Sequence, residues 1–261
     1  KATVENNCDL GVIFDTDVDR ASCVDEKGEE INRNAIVALA SVIALEGNEG
    51  GSIVTDSVTS DGLREFIEDT LGGKHIRFKR GYKNVIDEAI RRTNLGENTP
   101  LAIETSGHAA FKENYYLDDG AYLVTKIIIK AAVLRKENKK IGDCISTLKK
   151  PLEEKELRFN ITEENFREIG ERLIEDIKII AENNDEMILA PDNYEGVRVS
   201  FKDKKRNGWF LLRLSVHDPV MPFNTESNTL NGCVEICKTF YDLVKNVKGI
   251  DFTTLEDFIK L

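Results

Sequence analysis

The chain has 261 residues, of which 41% are hydrophobic and 32% are charged, so it is long enough for two domains with apolar cores. Its formal net charge of -11 disfavours nucleic acid and anionic membranes as partners, and an anionic ligand would need a local basic cluster. No apolar run approaches the ~20 residues of a membrane span, and there is no signal-peptide pattern and no Cys-x-x-Cys motif. We therefore expect a cytoplasmic protein that binds neither nucleic acid nor membrane.

An acidic stretch near the start of the chain carries the first candidate ligands. The apolar residues 11–14 predict a short buried strand, and Asp15, Asp17, Asp19 and Arg20 follow it. A loop that curls back after this strand would direct the three carboxylates to one point. Carboxylate oxygens suit Mg²⁺ or Ca²⁺ better than zinc, so these aspartates are candidate metal ligands.

Other interpretations of the acidic stretch remain open. An EF-hand loop also begins Asp-x-Asp-x-Asp, and Glu26 falls at its twelfth position, but Arg20 stands where that loop needs a glycine. A phosphotransferase of the haloacid dehalogenase type has Thr or Val where Asp19 stands here. A solvated acidic turn without a ligand is the remaining alternative.

Short strands alternate with helices between residues 31 and 136. The predicted strands are residues 52–55, 75–78 and 101–103, and the predicted helices cover residues 36–44, 63–67, 85–90 and 120–136. Asp118 and Asp119 are interpreted as the N-cap of the last of these helices. The alternation predicts an α/β fold with a mixed, largely parallel sheet sandwiched by helices.

Two loops of this first half follow predicted strands, where ligands of open α/β sheets bind. Residues 79–84 place three cations around Gly81 before a helix, which favours an anion, although a basic surface loop is an alternative. Glu104, Ser106 and His108 offer an acceptor, a hydroxyl and a proton shuttle, and these groups suit sugar hydroxyls. A short polar turn is the alternative, but it would need only some of these groups.

The pattern changes after residues 138–156, a polar, lysine-rich segment that we interpret as a linker. The later predicted elements are a strand at 157–161, a helix at 162–181 capped by Thr162, a hairpin of 197–201 with 209–214, and a helix at 234–244. These elements predict a small α+β domain with an antiparallel sheet and helices.

A third candidate loop follows the hairpin. Arg213 and Ser215 suit a phosphate group, because a guanidinium fork and a hydroxyl can both donate to its oxygens. Residues 224–227 precede the last predicted helix and are interpreted as its cap. Cys233 and Cys237 lie one helical turn apart and are interpreted as core residues rather than a metal or redox pair.

In this order, the loops resemble those of the α-D-phosphohexomutase family, the phosphoglucomutase and phosphomannomutase enzymes. The metal loop of that family, Asp-Gly-Asp-x-Asp-Arg, is matched by residues 15–20 with Thr in place of Gly. Its sugar loop, Glu-x-Ser-Gly-His, is matched in full by residues 104–108, and Arg80-Gly81-Tyr82 loosely resembles its specificity loop. Its phosphate loop, Arg-x-Ser-Asn-Thr-Glu-Pro, is matched in part by residues 213–219, where Val216 and His217 depart from it.

The resemblance extends over residues 9–261 and implies three parts of a four-domain enzyme. Residues 1–30 would be a remnant of domain 2 with the metal loop, residues 31–145 the sugar-binding domain 3, and residues 146–261 the phosphate-binding domain 4. The family interconverts hexose 1-phosphate and hexose 6-phosphate through a phosphoserine and a bisphosphate intermediate. Its serine lies in a Thr-x-Ser-His-Asn-Pro-like segment of domain 1, which this sequence lacks. The missing N-terminal domains of the same polypeptide are therefore the expected partner, and this chain alone is expected to be inactive.

The resemblance also implies a role for each candidate residue. Mg²⁺ would be held by Asp15, Asp17 and Asp19, and a phosphorylated hexose would be the substrate. The implied substrate-binding residues are Arg20, Arg80, Gly81, Tyr82, Glu104, Ser106, His108, Arg213, Ser215 and His217. His108 is also a candidate for assisting proton transfer, and the choice among glucose, mannose and an amino sugar stays open.

Two other functions compete with this hypothesis. The chain could be a non-catalytic phosphosugar-binding module, which needs the same binding loops but no phosphoryl donor. It could also be an independent Mg²⁺-dependent phosphatase with Asp15 as the nucleophile.

Overall fold

The computed structural model describes residues 1–191 and 193–260 and divides the chain into two compact units, Lys1–Lys150 and Pro151–Leu261. The first unit contains a mixed sheet flanked by helices, and the second contains an antiparallel sheet with helices, so the predicted fold class is confirmed. The finer division of the chain at residues 30 and 145 stays a prediction. None of the helices in the described part of the chain has the length and apolar character needed to span a bilayer.

The first unit contains seven strands and five α-helices among its described residues. The strands are β1 (Leu10–Phe14), β2 (Ala21–Asp25), β3 (Glu30–Ile31), β4 (Ser52–Asp56), β5 (Lys74–Phe78), β6 (Leu101–Ile103) and β7 (Ala109–Phe111). The helices are α1 (Ala2–Glu5), α2 (Asn34–Leu45), α3 (Asp61–Glu65), α4 (Tyr82–Asn94) and α5 (Gly120–Lys136). A π-helical turn at Phe66–Thr70 continues α3, and 3₁₀ turns lie at Lys112–Asn114 and Ile141–Ile145.

The main sheet of the first unit has the order β5-β4-β6-β7. β4 pairs in parallel with β5 and β6, and β7 runs antiparallel to β6. The apolar helix α2 packs with α5 in the larger core, while Val85 and Ala89 of α4 pack with Val54, Ala102 and Ala110 of the sheet. The sequence did not predict β7, because this strand is only three residues long and directly follows the loop after β6.

The strand before the acidic loop has a different environment from the predicted one. β1 lies at the edge of a three-stranded antiparallel sheet of order β1-β2-β3. Its side chains are largely exposed, with Ile13 at 56% and Phe14 at 39%. The predicted burial of this strand is therefore wrong, because an apolar run indicates a strand but not which of its faces is covered.

The second unit is built around a single large sheet. Its strands are β8 (Glu153–Ile161), β9 (Ile188–Leu189), β10 (Val197–Phe201), β11 (Gly208–Leu212), β12 (Val220–Ser227) and β13 (Ile250–Asp251), and its helices are α6 (Phe166–Glu182), α7 (Gly232–Val244) and α8 (Thr253–Ile259). The strand order is β13-β8-β12-β11-β10-β9, and the paired strands are antiparallel. The core contains aromatic rings from the sheet and α7 that pack against one another, among them Phe159, Phe223 and Phe240.

Three local predictions for the second unit can be compared with these elements. Helix α6 begins at Phe166 after Asn165, so the predicted start with Thr162 as the cap is wrong. Residues 224–227 lie inside β12 and do not cap a helix. Cys233 and Cys237 are buried, and burial raises the pKa of Cys233 to about 12 and that of Cys237 further, which fits unreactive core thiols.

Helix α4, which begins directly behind the basic loop, provides a stability prediction. Glu88 is 4% exposed and accepts hydrogen bonds from Arg91 and Arg92. The bonds from Arg91, together with those from Arg92, outweigh burial and hold the pKa of Glu88 below 4.5. We expect Glu88→Gln to lower the free energy of unfolding by about 1–3 kcal/mol at pH 7. Urea unfolding followed by circular dichroism measures this difference.

The pH dependence of this effect has a defined sign. A carboxylate whose pKa is lower in the folded state stabilises fully above its unfolded pKa and loses that effect as the pH falls through the folded pKa. The difference in the free energy of unfolding between wild type and Glu88→Gln should therefore disappear only below pH 4.5. Asp87→Asn is the matched control, because its ion pair with Lys83 is exposed and contributes about 0.5 kcal/mol or less. Equal effects of the two substitutions at pH 7 would contradict the prediction.

Candidate functional site

The acidic loop after β1 brings the three predicted metal ligands together. Carboxylate oxygens of Asp15, Asp17 and Asp19 lie within 4.8 Å of one another. The Nε atom of Arg20 lies 2.6 Å from Oδ2 of Asp15 and 3.8 Å from Oδ1 of Asp19. Burial alone would raise the pKa of Asp15, but hydrogen bonds from Arg20 outweigh it and hold this pKa below its ordinary value. The loop therefore presents three carboxylates around one point.

The backbone of this loop is tightly turned. The amide of Asp15 donates to the carbonyl of Arg20 at 3.4 Å, and the amide of Arg20 donates to Oδ1 of Asp15 at 3.2 Å. Val18 has a φ of 65°, a left-handed conformation that costs a β-branched residue on the order of 1–3 kcal/mol. A Cβ on Gly120 would lie 2.8 Å from the carbonyl oxygen of Val18, so a glycine at the start of α5 permits the close approach.

The donor set fits a hard divalent cation. Three carboxylates supply oxygen ligands, which Mg²⁺ prefers. Oδ1 of Asp19 is buried and has no hydrogen-bond partner among the described residues, so a cation would satisfy it. Asp19, His108 and Asp118 also bring ligand atoms within 4.8 Å of one another, but an imidazole in the set suits softer metals. Asp15, Asp17 and Asp19 are therefore the residues that fit Mg²⁺.

Glu104 connects the loop after β6 to the basic loop after β5. Its side chain is 4% exposed, and its Oε1 accepts a hydrogen bond from the amide of Gly81 at 2.6 Å. Ser106 donates to its other oxygen at 3.4 Å, while Thr105 anchors the loop by donating to Asp56. Burial raises the pKa of Glu104, and the nearby Asp56 charge raises it further. Two of the predicted substrate-binding loops thus meet at one carboxylate.

The acidic loop and the loop after β6 are joined through their backbones. Arg20 and His108 form an antiparallel β-bridge, and the amide of Ala21 donates to the carbonyl of Gly107 at 3.3 Å. Gly107 has a φ of 99°, and a Cβ there would lie 2.5 Å from the carbonyl oxygen of Ala21. This junction holds the predicted metal ligands beside the predicted sugar-binding residues.

His108 lies between three other side chains of the first unit. Its Nδ1 lies 2.8 Å from Oδ2 of Asp118 and 3.6 Å from Oδ2 of Asp19. The ring of Tyr82 stacks on the imidazole, with ring centroids 5.0 Å apart and an interplanar angle of 25°. The sequence did not single out Asp118, because an Asp-Asp-Gly run before a helix predicts a cap. Only Asp119 caps α5, by accepting from the amide of Tyr122 at 2.8 Å.

The cations of the basic loop are exposed. Lys83 pairs with Asp87 on α4, and the side chains of Lys79 and Arg80 lie at the surface. The positive charge of Arg80 favours the ionised form of Glu104, although more weakly than the hydrogen bond from Gly81 does. This arrangement keeps a positive charge close to the predicted sugar site.

The loop after β11 forms a separate candidate site in the second unit. Arg213 is 6% exposed, and its terminal nitrogens lie 3.5 Å from Glu195 and 3.3 Å from Asn224. Its Nε is buried without a hydrogen-bond partner among the described residues. Ser215 is partly buried and accepts from the amide of Asp218, whereas His217 is exposed. The sequence did not indicate Glu195 or Asn224, which reach Arg213 only through strand pairing and a neighbouring loop.

The predicted site residues therefore form two groups. In the first unit the structure brings together Asp15, Asp17, Asp19, Arg20, Arg80, Gly81, Tyr82, Glu104, Ser106 and His108. In the second unit Arg213, Ser215 and His217 share one loop. Their roles in binding stay predictions.

The sequence matches the family described as phosphoglucomutase/phosphomannomutase, alpha/beta/alpha domain III, over residues 32–151. The phosphomannomutase of Methanocaldococcus jannaschii is 27% identical over 250 residues, which are 96% of this chain and 49% of that protein. The chain spans about half the length of the curated relatives it matches.

Two solved structures resemble the fold. A phosphoglucomutase/phosphomannomutase family protein from Burkholderia thailandensis gives a TM-score of 0.73 at 23% identity, covering 95% of this chain and 48% of that chain. The Aspergillus fumigatus N-acetylphosphoglucosamine mutase, solved in complex with GlcNAc-6P and magnesium, gives 0.56 at 12% identity, covering 90% and 48%. At these identities the likeness establishes the fold. The matched domain, the related sequences and the shared fold confirm the resemblance of the chain to the phosphoglucomutase/phosphomannomutase family.

Proposed function

We propose that this chain supplies the metal-, sugar- and phosphate-binding parts of a phosphohexomutase that interconverts hexose 1-phosphate and hexose 6-phosphate. The observation that carries this proposal is the junction between Arg20 and His108, which sets three clustered carboxylates beside Glu104 and Ser106. A phosphorylated sugar needs a cation for its anionic phosphate group, which the three carboxylates would hold. It also needs hydrogen-bonding side chains for its hydroxyl groups, which Glu104 and Ser106 would supply.

The acidic loop would hold Mg²⁺ through Asp15, Asp17 and Asp19. When bound, this ion neutralises charge on a transferring phosphoryl group, as phosphoryl transfer requires. Arg20 already pairs with Asp15 at 2.6 Å, so its guanidinium would lie beside the same phosphoryl oxygens. The magnesium in the Aspergillus fumigatus relative supports this choice of metal.

The loop after β6 would orient the sugar. Glu104 uses one lone pair of each oxygen within the protein, so its carboxylate still has acceptor capacity for a sugar hydroxyl. The exposed hydroxyl of Ser106 can turn towards the same ligand. Tyr82 stacks on His108 and would limit the space beside the ring, while Arg80 would attract the phosphorylated end of the sugar.

The loop of the second unit would hold the phosphate group that is not transferred. Arg213 has a buried Nε–H without a described partner, and a phosphate oxygen would satisfy it. Ser215 would add a hydroxyl donor, and His217 an exposed imidazole.

The phosphoryl donor would come from outside these residues. The sequence has no Thr-x-Ser-His-Asn-Pro segment, so we assign the donor phosphoserine to N-terminal domains of the same polypeptide. The serine would transfer its phosphoryl group to the hexose phosphate, and the resulting bisphosphate would reorient and return its other phosphoryl group. We therefore expect no turnover by the 261 residues alone.

Isothermal titration with glucose 1,6-bisphosphate, with and without Mg²⁺, tests the proposal. We expect Mg²⁺ to strengthen binding to the chain, and Asp17→Asn to remove that dependence. Asp257→Asn is the matched control, since it removes one charge from a carboxylate 69% exposed. Absence of Mg²⁺-dependent binding would contradict the assigned site, and conversion of glucose 1-phosphate by the chain alone would contradict the assigned donor.

A further inference from the structure

A hydrogen bond joins Nδ1 of His108 to the carboxylate of Asp118. Nδ1 of His108 lies 2.8 Å from Oδ2 of Asp118, and both side chains are 14% exposed. An ionised carboxylate can only accept hydrogen bonds, so the imidazole must donate through Nδ1. In the neutral ring the other nitrogen, Nε2, then has a free lone pair.

The other groups around the imidazole do not compete for this proton. Oδ2 of Asp19 lies 3.6 Å from Nδ1, which is too far for a good hydrogen bond. Tyr82 stacks on the ring, and the backbone amide of Glu104 donates to the carbonyl oxygen of His108 at 2.9 Å and not to the imidazole. Of these neighbours, Asp118 has the contact that selects the donor atom.

Asp118 is itself held by the backbone on both sides. It forms a β-bridge with Ala110, and the amide of Asp119 donates to the carbonyl of Ala109 at 3.1 Å. Asp119 then caps α5 through the amide of Tyr122. The carboxylate of Asp118 therefore projects from a segment fixed between β7 and α5, which suits it to orient a neighbouring ring.

We propose that Asp118 is a positioning residue, which fixes His108 in the Nδ1–H tautomer so that Nε2 accepts a hydrogen bond from a hydroxyl group of the ligand. The identity of that ligand as a sugar phosphate rests on the proposed function. The tautomer of His108 does not, since it follows from the contact with Asp118.

Nitrogen-15 NMR of the histidine-labelled chain tests the tautomer directly. The chain has three histidines, so the signals lost in His108→Gln identify those of His108. At a pH where the ring is neutral, we expect the proton on Nδ1 in wild type. We expect it on Nε2 in Asp118→Ala, because an imidazole without a partner prefers that form. Asp118→Glu keeps a carboxylate that can only accept, so it should retain the wild-type tautomer.

A matched control separates positioning from general damage near α5. Asp119→Asn keeps a good helix cap and leaves Asp118 in place, so the tautomer should not change. A proton on Nε2 in wild type would overturn the proposal. A proton that stays on Nδ1 in Asp118→Ala would also overturn it and assign the role to Asp19. The wild-type spectrum decides the first point even if the variant fails to fold.

Affinity for glucose 1,6-bisphosphate tests the consequence for the ligand. Loss of one aligned hydrogen bond should weaken binding to Asp118→Ala by about tenfold, and Asp118→Glu, which keeps an acceptor-only carboxylate, should recover part of that loss. A changed tautomer with unchanged affinity would overturn the role of Nε2 as an acceptor. If wild type itself does not bind, the proposed function fails, while the tautomer measurement still decides whether Asp118 positions His108.

Discussion

Gly107→Ala is expected to weaken Mg²⁺-dependent binding of glucose 1,6-bisphosphate by about 100-fold, because a displacement of about 1 Å at a binding site can cost that much. The added Cβ would lie 2.5 Å from the carbonyl oxygen of Ala21 and 3.2 Å from its amide nitrogen. Both atoms belong to the backbone, so no side chain can rotate away. The substitution must therefore separate the acidic loop from Glu104 and Ser106.

Gly96→Ala is the matched control for this prediction. Gly96 also has a positive φ, 89°, but a Cβ there meets no atom within 4 Å. It should therefore cost only the strain of a left-handed alanine, about 1–2 kcal/mol of stability, and leave affinity unchanged. Isothermal titration and urea unfolding of both variants separate the two effects. Equal affinities of Gly107→Ala and Gly96→Ala would contradict the role assigned to the junction.

Local signals in the sequence predict much of the first unit. The bounds predicted for α5 agree with the observed Gly120–Lys136, because a capping aspartate precedes a long apolar run that ends in basic residues. The sequence did not predict strand β12, because Pro222 and the polar residues of this strand are typical of a loop. Their partners come from other strands: Thr225 donates to the carbonyl of Trp209, whose indole donates to Glu226. Such pairing is set by the register of the sheet and not by spacing along the chain.

The same distinction applies to the candidate sites. Motif spacing indicates Asp15, Asp17 and Asp19 because one turn of chain brings them together. It does not indicate Asp118, which meets His108 only after β7 pairs with β6 and returns the chain to α5. The sequence does not indicate the left-handed φ of Val18 either, because a β-branched residue is rarely found in that conformation.

Arg213→Met is expected to lower the affinity of the chain for glucose 6-phosphate by about 30-fold or more. Truncating one partner of a buried, hydrogen-bonded charge pair costs about 2–5 kcal/mol, and each 1.4 kcal/mol is about tenfold in affinity. Arg213 is 6% exposed and its guanidinium is held between Glu195 and Asn224, so little further ordering is needed when it binds an anion. Arg213→Lys keeps the charge but loses the planar fork, and its affinity should lie between the two.

Arg158→Met tests whether this loss is specific to the site or follows from the change in net charge. Arg158 also pairs with a glutamate, Glu156, at 2.9 Å, but its side chain is 71% exposed. Its removal should change affinity by about twofold or less, as expected for a surface pair. The chain has one tryptophan, Trp209, which lies on β11, so its fluorescence during urea unfolding shows whether the second unit of each variant is folded. If folded Arg213→Met binds as well as Arg158→Met, the phosphate group does not contact Arg213, and the loop after β11 has another role.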